Sequence, residues 1–96
     1  MKIRLNDIVT ETYSNSAGYK LYIELKGYVS QNSPIELSFL GSTPTSSSFL
    51  NSSFGTMIEE LGLAKFKALI KPVDISNSQA SMLRHYINTF NSGMKA

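Results

Sequence analysis

The sequence predicts an α/β domain, a small and mostly parallel sheet of three or four strands with helices packed on it. Three observations carry that expectation. Short apolar runs of strand character alternate with longer stretches of helical period, in the order strand, helix, strand, helix, strand, helix. Such alternation favours parallel strands joined by right-handed crossovers. The 96 residues are 42% apolar and 17% charged, which suits one modest core and is too little charge for a disordered chain. Finally, eight of the twelve residues from Ser42 to Ser53 carry a hydroxyl, at the handover from the second strand to the second helix. In open α/β sheets such a turn is where ligands and modifications act.

The elements follow in order. Ile3 and Leu5 alternate with Lys2 and Arg4, the period of a half-buried strand. Asn6-Asp7 favours a turn, with Ile8-Val9 a short extension. Ser14 or Ser16 can cap a helix starting near Ala17, whose buried stripe is Ala17, Leu21, Leu25 and Tyr28. Gly18 and Gly27 weaken that helix by about 1 kcal/mol each relative to alanine, so packing on the sheet must offset them.

Gln31-Asn32-Ser33-Pro34 breaks the helix, and Ile35 to Leu40 reads as a central strand. After the hydroxyl-rich turn, Leu50, Phe54, Met57, Ile58 and Leu61 form the clearest helical stripe, with Gly62 as its C-terminal stop. Ala68-Leu69-Ile70, followed by Val73 and Ile75, is the third strand, and Pro72 fits an edge strand, a bulge or a strand end. Ser76-Asn77-Ser78 caps a last helix whose face is Leu83, Tyr86, Ile87 and Phe90, extended by Gln79 and Met94. One domain is expected over 1–92, with 93–96 a frayed tail.

Composition excludes several functions. There is no cysteine, so disulfides and thiolate metal sites are absent. The net charge of +2 is small and its cations are scattered, with only Lys65, Lys67 and Lys71 approaching a cluster, so no nucleic-acid partner is expected. No stretch has the length of a membrane span and the charged start is unlike a secretory segment, so the expected setting is cytoplasmic, without a membrane partner. His85, the single histidine, falls on the polar side of the last helix, and Glu59-Glu60 pairs with no other acid. No Gly-rich phosphate loop and no metal-ligand set is present. With no nucleophile near a base, the chain is expected to be no enzyme and to need no cofactor.

The hydroxyl-rich turn therefore carries the functional expectation. A helix start leaves four amides unpaired and about half a positive charge. One of Ser46, Ser47 and Ser48 suffices as a cap, which leaves hydroxyls over. A phosphate there would be held by oriented amides and would add nearly two negative charges. Extending the Leu50–Leu61 stripe backwards turns Ser47 towards the core and Ser48 away, so Ser48 is the first phosphoacceptor candidate and Ser47 the second. Thr45, Ser46, Phe49, Asn51 and Ser52 complete the expected contact surface, with Phe49, opposite the stripe, either folded back on a neighbouring loop or serving as an aromatic anchor. Tyr19 and Ile23, facing away from the stripe of the first helix, form a second docking patch.

Ile35-Glu36-Leu37-Ser38-Phe39-Leu40-Gly41, with Ser46-Ser47-Ser48-Phe49-Leu50-Asn51-Ser52-Ser53-Phe54-Gly55, resembles the STAS-like family of small bacterial domains. The likeness extends from Ile3 to about Phe90. That family is compared with anti-sigma-factor antagonists, whose turn carries aspartate, two serines and glycine, the second serine being phosphorylated by an ATP-dependent partner kinase. Laid on that pattern, Ser46 replaces the aspartate, Ser47 and Ser48 match the serines, and Phe49 replaces the glycine. The resemblance implies a bacterial signalling module whose protein partner is a histidine-kinase-type ATPase. Two rival expectations stand beside it: a sensor whose turn binds a nucleotide or other phosphometabolite, and a structural subunit that buries Tyr19, Ile23 and Phe49 in a homodimer.

Overall fold

The computed structural model describes residues 1–42 and 44–93, with side chains placed as far as Thr89. Three strands, β1 (Lys2–Arg4), β2 (Ile35–Ser38) and β3 (Ile70–Val73), form one sheet in that order. Both pairings are parallel, with Ile3 opposite Leu37 and Leu37 opposite Pro72. The apolar run at 35–40 is thus the central strand, as its composition predicts.

Register assigns the two faces. Ile3, Ile35, Leu37 and Ile70 share one face with Pro72, and Ile35, Leu37 and Ile70 are buried. Lys2, Arg4, Glu36 and Lys71 lie on the other and are exposed. The helices cover the first face only. Parallel sheets are usually covered on both, and here charged side chains make the open face compatible with water.

From β1 the chain enters a single helical turn, α1 (Leu5–Ile8), where a non-helical turn was expected. Leu5 is fully buried there. Helix α2 (Asn15–Val29) starts two residues before the expected Ala17, on the Ser14 cap, whose hydroxyl accepts from the Ala17 amide at 3.1 Å. Ala17, Leu21 and Leu25 are buried as expected, while Tyr28 is half-buried and Val29 is buried beside it. Gly18 is not a concession offset by the sheet. It faces the helix start after β2, where a Cβ would run into the Ser52 hydroxyl and the Phe49 carbonyl, whose carbon lies 3.1 Å away. Only glycine lets these two backbones approach so closely.

The segment after β2 is one winding run with a change of pitch: α3 (Ser47–Leu50), a π-turn (Asn51–Gly55) and α4 (Thr56–Leu61). Gly62 interrupts it at φ +88°, a value side chains rarely adopt. The chain then forms α5 (Leu63–Leu69), for which a strand was expected from Ala68. Seven residues without glycine, proline or β-branching favour helix there, and extended structure starts at Ile70. Helix α6 (Asn77–Gly93) closes the fold, with Leu83 buried and Tyr86 and Ile87 half-buried. Gly93, expected in a frayed tail, is its last residue, while Met94 and the remainder of that tail lie outside the described residues.

Candidate functional site

The hydroxyl-rich turn is held by the loop that precedes α2. The Ser46 amide donates to the Thr12 carbonyl at 3.0 Å, and the Ser46 hydroxyl donates to the Tyr13 carbonyl at 2.7 Å. The buried Thr12 hydroxyl donates to the Pro44 carbonyl at 3.1 Å. That loop is itself pinned: the Glu11 carboxylate accepts from the Tyr13 amide at 2.8 Å and the Ser14 hydroxyl at 2.5 Å. Those bonds, the Ser14 hydroxyl first, hold the Glu11 carboxyl below its ordinary pKa.

Ser46 is the cap. Its hydroxyl accepts from the Phe49 amide at 3.1 Å and its carbonyl from the Leu50 amide at 3.0 Å. Ser47 and Ser48 follow in the first turn of α3, both exposed, and neither hydroxyl nor amide bonds another described residue. The backward-extended wheel turns Ser47 inward, whereas the structure exposes it. Thr43 lies outside the described residues.

Two expected contact residues are not on the surface. Phe49 is 0% exposed and belongs to the core with Leu50 and Phe54. At 3.6 residues per turn, Phe49 would stand about 140° from Phe54. A π-turn places residues five apart nearly in line, so the Asn51–Gly55 turn brings Phe49 to the buried side. Thr45 is 5% exposed and equally unavailable.

Asn51 and Ser52 are already engaged. The Asn51 amide oxygen accepts from the Tyr86 hydroxyl at 2.6 Å, and burial pushes that phenol up to about 12. The Ser52 hydroxyl donates its one proton between the Ser48 carbonyl at 2.9 Å and the Asn15 carbonyl at 3.0 Å. What remains open at this turn is Ser47 and Ser48. Tyr19 and Ile23, at 57% and 50% exposed, present a separate patch on the outer side of α2.

Sequence reasoning missed a polar cluster at the carboxyl ends of the strands. The Ser38 hydroxyl, on a residue 1% exposed, donates to Asp74 at 2.7 Å, and the Lys2 ammonium lies 3.0 Å from the same carboxylate oxygen. The Ser38 bond first, and Lys2 after it, lower the Asp74 pKa. Asp74 sits at φ +53°, a conformation aspartate tolerates better than most side chains. The available signal was its place, directly after an edge strand. Among the described residues no group of acidic or histidine side chains could hold a metal ion, and no helix is long and apolar enough to cross a membrane.

Residues 17–80 match the model of the family described as a STAS-like domain of unknown function, DUF4325. Searches of curated proteins and of solved structures each found no significant match. The matched span holds α2 from Ala17 onward, strands β2 and β3, and the whole serine turn. The chain belongs to the STAS-like domains of unknown function.

Proposed function

We infer that the domain is a non-enzymatic regulatory module of a cytoplasmic bacterial signalling system, switched by phosphorylation in the first turn of α3. The supporting observation is the division of labour at Ser46, Ser47 and Ser48. Ser46 does the capping, while Ser47 and Ser48 keep exposed hydroxyls and unbonded amides at a helix start. A phosphoryl group on either would meet amide donors and a favourable dipole without displacing a structural bond. Its charge would change the surface offered to a protein partner while the buried Phe49 holds the turn in place. Ser48 is the first acceptor and Ser47 the second, and the donor is ATP, through a histidine-kinase-type ATPase.

The test is intact-mass measurement after co-expression with a histidine-kinase-type ATPase from the same genome. One added phosphate is expected on the unaltered chain and on Ser47→Ala, and none on Ser48→Ala. A phosphate that persists in Ser48→Ala but disappears in Ser47→Ala moves the assignment by one residue. No phosphate on any of the three refutes the switch.

A further inference from the structure

Away from the serine turn, α6 does not close fully against β3 and α5. Two adjoining cavities of about 280 and 290 Å³ run between them, sharing Lys67, Pro72, Leu83 and Ile87 in their walls. The inner one is floored by Phe54, Phe66 and Ile70, and the outer one by Ile75 and Ala80.

Charge around this groove is one-sided. Lys67 comes from the last turn of α5 and Arg84 from α6, so the fold gathers them from two elements, while Lys71 borders the inner cavity from a register position on the open face of the sheet. No described carboxylate lines either cavity, and neither Lys67 nor Arg84 is ion-paired among the described residues. Long cationic side chains lay their stems on apolar walls and keep their heads at the rim.

An apolar trough with uncompensated cations at its mouth is complementary to an alkyl body with an anionic end. A nucleotide would need hydrogen-bonding groups inside the trough, and Asn88 is the one uncharged polar side chain of its described lining. The volume lies near the lower end of small-molecule pockets, about 300 Å³ upwards, which suits a single chain better than a folded polypeptide segment. We propose that the groove between β3, α5 and α6 binds a free fatty acid, its chain along Leu83 and Ile87 and its carboxylate held by Lys67 and Arg84. This site is separate from the serine turn, and either reading stands or falls without the other.

Calorimetric titration of the full chain with dodecanoate below its micelle concentration tests the proposal, with acetate and dodecylammonium as controls. Saturable binding of one dodecanoate is expected, with neither control binding. Lys67→Glu/Arg84→Glu should weaken it at least about tenfold through the lost charge complementarity. Ala80→Phe, which fills the outer cavity and leaves the charges alone, should also weaken it. Far-UV circular dichroism and Tm confirm that both variants are folded. Absence of saturable binding overturns the proposal, as does equal binding of dodecylammonium or undiminished binding by the folded charge-reversed variant. Saturation by an acidic amphipathic peptide but not by dodecanoate would assign the groove to a protein partner, and would overturn it too.

Discussion

Gly18 and Gly27 stand on the same helix, cost the same in intrinsic propensity, and differ entirely in what surrounds them. A Cβ at Gly27 would meet nothing within 4 Å, whereas one at Gly18 would strike the Ser52 hydroxyl and the Phe49 carbonyl. Gly27→Ala should therefore stabilise the domain by about 1 kcal/mol through helix propensity. Gly18→Ala should destabilise it by about 1–3 kcal/mol, because overpacking outweighs the same gain. Urea unfolding of the two variants decides the matter, and a stabilised Gly18→Ala would mean that the two backbones are not in close approach. At this scale the sequence was partly readable. Ser14 and the serine triplet announced helix caps by residue type, but the Thr12 and Tyr13 carbonyls that hold Ser46 come from a loop with no local signature.

Among the elements, those with a sustained period were legible. The stripes of α2 and of the Leu50–Leu61 run pointed to their buried sides, and Pro72 correctly marked an edge strand. Two features were not. Helix α5 is only seven residues and runs directly into β3, so its Leu69-Ile70 end read as the start of a strand. The π-turn has no period of its own in five residues, and it rotates everything before it relative to the wheel. Phe49 records that rotation. Phe49→Ala should cost about 3–5 kcal/mol, as for a buried aromatic, where a surface anchor would change stability by less than about 0.5 kcal/mol. Chemical denaturation measures it, and a near-neutral outcome would return Phe49 to the surface.

For the molecule as a whole, one core, one sheet face and a single layer of helices leave the peripheral loops to be held by polar bonds. Two carboxylates, Glu11 before α2 and Asp74 after β3, do this at separate places. Both have folded-state pKa values lowered from ordinary values of 4.5 and 3.8. A lowered value means the folded form binds its proton less readily than the unfolded chain. The stabilisation is present above those ordinary values and is lost as pH falls through the lower folded ones. Asn tolerates the φ of Asp74 as Asp does, so Glu11→Gln/Asp74→Asn removes charge without backbone strain. The stability gap between wild type and this variant should be constant near neutrality and shrink below pH 4.5. Parallel acid-unfolding curves would show that neither carboxylate contributes in this way.

The bond from Ser46 to Tyr13 joins positions 33 apart in the chain. A synthetic peptide copying the serine stretch would lack its other half, and with it the shape in which Ser47 and Ser48 are offered. Whatever enzyme or antibody reads those two hydroxyls must therefore recognise a conformational epitope, and a linear consensus scanned along the chain would pass over it.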